Sequence, residues 1–307
     1  MNIARNTSTR EIIEAETLRV YPNVSAVMFE CADESCKIKL TPCSYQSHNV
    51  KRPYFKVFNK DIEHVENCKF NKYKKILDKA NANKISESEL KMLFLPIELI
   101  KPKEQEEYSL VKVQSNSTNE PNTTKNNNST NSSKKTNSNS KVTAISRIVD
   151  FYLNFPYNRD VELNLLGNIK QYKFWFKKIK KNTTFTGTKI YFGQLHTGIE
   201  IEENESNLII QLYVSEGWET VEKDGKIKNI QVNPFLININ KVNLSSNKIS
   251  RIKNELTYVI EEQKRNTDKA KKAFVFFLGQ PSSVSKYSFD VVDGYLVSRH
   301  TKILPTK

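Results

Sequence analysis

The stretch CADESC (31–36), followed by HVENC (64–68), decides how the chain is read. Four residues separate Cys31 from Cys36, and three separate His64 from Cys68. All four cysteines (Cys31, Cys36, Cys43, Cys68) and two of the four histidines (His48, His64) fall in this window. Zinc takes four ligands in a tetrahedron, with thiolate and imidazole as usual donors. The spacing predicts a structural zinc site of Cys31, Cys36, His64 and Cys68. Four protein donors close the shell and leave no open position for catalysis. Cys43 and His48 are spare donors, and the spacing excludes neither as a substitute. The competing reading buries Cys31 and Cys43 as small hydrophobes.

Around the ligands, VSAVMF (24–29) predicts a strand running into Cys31. CKIKL (36–40) alternates polar and apolar, as the second strand of a hairpin would. PYFKVF (53–58) is a further strand. KDIEHVENCKF (60–70) predicts a helix, which would place His64 and Cys68 on one face. Upstream, STREIIEAETLR (8–19) predicts a short helix capped by Ser8 or Thr9. Downstream, FNKYKKILDKANA (70–82) reads as a basic helix. Ser86 and Glu89 then form a capping box ahead of Leu90, Leu93 and Phe94.

The stretches CADESC (31–36), RPYF (52–55) and HVENC (64–68) resemble the N-terminal zinc-binding region of CoiA-like bacterial competence proteins. The resemblance covers residues 24–68. It implies a DNA-related bacterial context. The chain departs from that pattern in two ways: its cysteine pair is spaced by four residues rather than two, and no histidine follows Phe55.

Residues 114–141 contain 21 Asn, Ser or Thr among 28, with no aliphatic or aromatic residue. Such a composition cannot build a core, so a disordered linker is expected there. It would join a zinc-binding domain, 1–113, to a second domain, 142–307, free to move independently. VTAISRIVDFYLNFP (142–156) opens the second domain as a helix. Runs at 172–179, 189–195, 208–214, 227–232, 235–240, 273–278 and 287–298 are rich in β-branched and aromatic residues and read as strands. One long helix, 246–265, carries Ile249, Ile252, Leu256, Val259 and Ile260 on a stripe. The expected class is α+β: a small zinc domain, a linker, and a mainly antiparallel β domain with a long helix. An OB-like barrel is one topology this strand count allows.

The chain holds 8 glycines in 307 residues and carries a formal charge of +14. It has neither a G-x-G-x-x-G nor a Walker A pattern, which argues against dinucleotide and phosphate-loop folds. Residues 1–113 carry 19 basic and 16 acidic side chains, whereas 142–307 carry 25 and 17. The second half is therefore the better candidate for an anionic partner. Its most suggestive stretch is QYKFWFKKIKK (171–181), in a region with no acidic residue between Glu162 and Glu200. Lysines neutralise phosphates and exposed aromatics stack bases. Lys170, Lys173, Trp175, Lys177, Lys178, Lys180 and Lys181 are the candidate nucleic-acid residues. As a strand, the run would put Tyr172, Phe174 and Phe176 on one face and Lys173, Trp175 and Lys177 on the other. The competing reading makes the aromatics core and the lysines a solvated surface.

No run of about 18 apolar residues is present, so no membrane span is expected. The polar N-terminus lacks a signal core, and a cytoplasmic location follows. Cysteines in such a compartment are metal ligands rather than disulfides. No catalytic constellation stands out. His196 and His300 lack a nucleophile motif, and Glu262-x-Lys264 lacks an upstream strand aspartate. The sequence predicts a non-catalytic, zinc-containing protein of bacterial or mobile-element type that binds DNA or RNA. A protein-interaction adaptor is the alternative, and a metal-dependent nuclease a third class.

Overall fold

A computed structural model describes residues 1–101 and 141–303, apart from residues 20, 47, 48, 50, 60, 61, 94, 199, 200, 224 and 225. His48, Phe94 and most of the expected linker therefore lie outside the described residues.

The chain begins with a five-stranded antiparallel sheet. Its strands are β1 (Ile3–Asn6), β2 (Ile12–Glu14), β3 (Phe29–Glu30), β4 (Lys39–Cys43) and β5 (Tyr54–Val57), in the order β2-β1-β3-β4-β5. Ile13, Leu18, Phe29, Leu40 and Phe55 form its core, with the Phe29 and Phe55 rings 5.1 Å apart. The helix expected at 8–19 is absent. The Asn6 Oδ1 atom accepts the N–H groups of Ser8 (2.9 Å) and Thr9 (3.3 Å), and Arg10 takes a positive φ of 62°. That turn reverses the chain before a helix can nucleate, and β-branched Ile12 and Ile13 pair back with β1. Only Ala15–Arg19 coils, as a 3-10 turn. The strand expected at 24–29 is likewise shortened. Asn23 in the left-handed region starts a 3-10 turn at Val24–Ala26, leaving Phe29 and Glu30 to pair.

Two helices follow, α1 (Lys69–Ala82) and α2 (Glu87–Met92), the second opened by the capping box of Ser86 and Glu89. A four-stranded sheet comes next: β6 (Glu98–Leu99), β7 (Lys141–Val142), β8 (Glu162–Leu165) and β9 (Asn168–Gln171), in the order β7-β6-β8-β9. Strand β6 runs parallel to both β7 and β8. Lys141, assigned by the sequence to the linker, thus sits opposite Glu98 in a sheet. Helix α3 (Ile145–Asn154) shares one core with α1 and α2, through Ile76, Ala80, Ile85, Leu90, Ile148 and Val149. Segments before and after residues 102–140 are packed together.

A single helical turn, α4 (Tyr172–Trp175), leads into the largest sheet. That sheet contains β10 (Phe176–Lys178), β11 (Lys189–Gln194), β12 (Glu202–Glu203), β13 (Asn207–Lys223), β14 (Lys226–Asn240), β15 (Lys272–Pro281) and β16 (Ser288–Thr301). The order is β10-β11-β15-β16-β14-β13-β12, antiparallel except for β10–β11 and β14–β16. A bridge between Leu195 and Leu212, with His196 N–H donating to the Gln211 carbonyl (3.1 Å), curls the sheet back on itself. Helix α5 (Ser246–Arg265) packs on it through Ile252, Leu256 and Val259, with the bounds its apolar stripe predicts. Past a register shift between Gln211 and Ser215, β13 and β14 run on as a ribbon, from Gly217 opposite Val232 to Lys223 opposite Lys226. The whole is α+β: the first sheet is antiparallel, the largest mostly so, and the four-stranded sheet mixed.

Ion pairs tie the first sheet to the rest. Arg147 of α3 meets Glu14 (3.0 Å), and Glu16 meets both Arg52 (3.2 Å) and Arg251 of α5 (3.5 Å). Arg52 also pairs with Glu255 of α5, and Arg299 of β16 pairs with Asp150 of α3 (2.7 Å). Among the described residues no helix is long and apolar enough to cross a membrane.

Candidate metal centre and nucleic-acid interface

CADESC is the turn of the β3–β4 hairpin. Cys31 N–H donates to the Ile38 carbonyl (2.8 Å), and Cys36 N–H to that of Asp33 (3.1 Å). The Asp33 Oδ1 atom takes the Ser35 N–H (3.1 Å) and hydroxyl (2.8 Å), which bends the loop so both cysteines face inward. The other two donors come from a different segment. The helix expected over 60–70 does not include them: residues 62–67 are irregular, and Cys68 has the extended backbone of an N-cap, φ −60° and ψ 133°. Its thiol makes no cap hydrogen bond; the Asp33 Oδ2 atom accepts the Lys69 N–H instead, at 2.7 Å. One carboxylate therefore shapes the cysteine loop and caps the helix behind Cys68.

The four donors converge. The sulfurs of Cys31 and Cys68 lie 3.6 Å apart, and His64 Nδ1 is 3.2 Å from the Cys36 sulfur and 3.4 Å from that of Cys68. All four donor atoms fall within 4.8 Å of one another, and the three cysteines are buried. This group could hold one metal ion, and every cysteine in the chain is free of disulfides. Cys43 sits elsewhere on β4, its sulfur 3.6 Å from the Thr41 carbonyl. Burial pushes the Cys31 and Cys68 thiols up and His64 down. That favours the neutral forms of Cys31, Cys68 and His64; a dication reverses the preference for those two thiols.

The basic stretch is not one strand. Tyr172 and Trp175 turn inward on α4, and Trp175, only 3% exposed, donates its indole N–H to the Leu163 carbonyl (2.9 Å). Trp175 therefore cannot stack a base. The alternation expected of a strand fails because the helical spacing of three residues puts both rings in the core. Phe176 is buried, its ring stacked 3.8 Å from that of Tyr152. Phe174 alone of the four aromatics is presented to solvent, at 55%. Lys170, Lys173, Lys178, Lys180 and Lys181 are exposed and Lys177 half-buried.

Lys189 belongs with them, although the sequence reading passed over it. Its ammonium donates to the Phe174 carbonyl (3.1 Å) and is pushed down in pKa by burial and by Lys170 and Lys177 nearby. The acid-free interval from Glu162 to Glu200 already contained it. A further group of basic residues at the end of the long helix, Lys264, Arg265, Lys269, Lys271 and Lys272, is partly compensated, with Arg265 paired to Glu261 at 3.1 Å. His196 accepts the Gly198 N–H (3.2 Å), and His300 stands 3.3 Å from the Asn266 amide. Glu262 takes the Tyr258 hydroxyl at 2.7 Å.

Searches against protein-family models, curated proteins and solved structures find no match to this chain.

Proposed function

We propose that the chain is a zinc-containing, non-catalytic nucleic-acid-binding protein. Zinc binds sulfur at about 2.3 Å and imidazole at about 2.0–2.1 Å, so a tetrahedron sets S···S near about 3.8 Å and S···N near about 3.5 Å. The spacings among Cys31, Cys36, His64 and Cys68 suit that ion. Four donors complete its shell, which favours a structural role.

The observation that carries the binding reading is charge. Lys170, Lys177 and Lys189 have no ion-pair partner among the described residues, in a stretch of sequence with no carboxylate between Glu162 and Glu200. Uncompensated ammonium groups held close together suit phosphates. The resemblance to the zinc-binding region of CoiA-like proteins supports DNA and a bacterial context. The test is fluorescence anisotropy with labelled oligonucleotides across a salt series. Affinity should fall linearly in log salt, and charge reversal of Lys177, Lys178, Lys180 and Lys181 should abolish it. No binding at low salt refutes the reading.

The adaptor alternative rests on the β13–β14 ribbon. Trp218, Ile227 and Ile230 are exposed on it, and among the described residues neither strand of the ribbon pairs with a third strand. The ribbon also carries Glu219 and Glu222, so it suits a protein better than a phosphate backbone. Partner capture that survives the lysine reversals but not Trp218→Ala would favour it.

A further inference from the structure

The basic surface carries more than charge. Its one exposed aromatic ring, Phe174, is mounted on α4, a turn pinned from below by the buried Tyr172 and Trp175. Lys173 stands with its ammonium 5.1 Å from the centre of the Phe174 ring, and Lys189 holds the Phe174 carbonyl. The Lys170 ammonium stands over the Trp175 ring, 4.8 Å from its centre, which places that lysine beside the turn. Lys170, Lys177 and Lys189 thus surround a rigid base from which a phenyl ring projects.

Exposing a phenylalanine to water is unfavourable by the transfer free energy of its ring, and this one stays 55% exposed with the Lys173 ammonium standing over the ring. A ring without polar atoms recognises a ligand by its face, and the ammonium groups around it select an anion. A nucleobase joined to phosphates offers both. In a duplex each base is stacked between its neighbours and its face is hidden. Only an unpaired base can lie on Phe174.

We propose that this surface takes single-stranded nucleic acid, with Phe174 stacking one unpaired base and Lys170, Lys177 and Lys189 neutralising the flanking phosphates. The proposal rests on the nucleic-acid reading above and narrows it to a strand form and a residue. Phe174 replaces Trp175 as the stacking group. The lysines set salt dependence, whereas Phe174 sets the preference for single strands.

The experiment measures anisotropy of the full chain with one labelled oligonucleotide, first as a single strand and then annealed to its complement. Wild type should bind the single strand more tightly. Phe174→Ala should weaken that binding about tenfold, the usual effect of removing one stacked ring, and leave duplex binding and the salt slope unchanged. Phe174→Tyr should restore it. Lys177→Ala combined with Lys189→Ala should weaken both forms and flatten the salt dependence. Phe174 is exposed, so its loss leaves the fold intact, and circular dichroism checks this. Equal affinity for the two forms, or no effect of Phe174→Ala, overturns the proposal while leaving general binding in place. Absence of binding by wild type to either form overturns both.

Discussion

Asp33 Oδ2 accepts the backbone N–H of Lys69 at 2.7 Å, and this bond joins the two segments that carry the metal donors. Cys31 and Cys36 belong to a hairpin turn, whereas Cys68 begins a helix. The same carboxylate bends the hairpin through Ser35. Asp33→Ala should therefore lower zinc affinity by about 10–100-fold, the range for groups that orient ligands. Competition with a chromophoric chelator measures it. An unchanged affinity would show that the loop is held without Asp33.

Metal removal should act locally first. The first sheet is small, and its core includes Cys31, Cys36 and Cys68 themselves. A chelator should strip hydrogen-exchange protection from β3 to β5 while β15 keeps its own. Cys36→Ser should lower the zinc content, and Cys43→Ser should leave it at one ion per chain. Simultaneous loss of protection in β15 would mean that the ion holds the whole fold.

Two neighbouring glutamates should respond to pH in opposite directions. Burial works to raise the Glu16 pKa, but Arg52, Arg251 and Arg299 outweigh it and bring the group from 4.5 to about 2. Its stabilising charge is fully present above about 4.5 and lost as pH falls toward 2. Glu14 is pushed up by burial, only partly opposed by Arg147. Its contribution is present below 4.5 and lost as pH rises through the raised value. At pH 7, Glu16→Gln should cost on the order of 3 kcal/mol, and Glu14→Gln should be near neutral. Denaturant melts at pH 7 and pH 3 compare them, and the Glu16→Gln deficit should shrink in acid.

Trp175 should behave as core. Trp175→Ala should destabilise the chain by about 3–5 kcal/mol, read by urea denaturation, because it opens a cavity beside Leu163. A variant as stable as wild type would contradict the inward placement of the ring.

The grouping of Cys31, Cys36, His64 and Cys68 was legible because donor chemistry restricts the choices: few residue types bind metals through sulfur or imidazole, and all the cysteines cluster in the sequence. The long helix at 246–265 was legible because its apolar stripe, Ile249 to Ile260, runs for about three turns. What failed were short elements decided by one turn residue. Asn6 redirects residues 8–19, Asn23 shortens the strand before Cys31, and the extended backbone at Cys68 ends the helix expected through His64. The run at 172–179 misled because tightly spaced aromatics satisfy a strand pattern and a helical turn alike, and only the partner carbonyl of Leu163 separates them. The arginine–carboxylate contacts were invisible for another reason. Glu16 and Arg251 are far apart in sequence, and no local pattern links them.

The parallel pairing of β6 with β7 brings the entry and exit of residues 102–140 side by side, with Ile100 N–H donating to the Val142 carbonyl at 2.9 Å. Covalent continuity through that segment should thus be dispensable for holding the molecule together. Two polypeptides, one ending and the other beginning within it, would have every described sheet, core and ion pair available to them. Co-expressed as separate genes, they should reassemble into a heterodimer that co-elutes as one species.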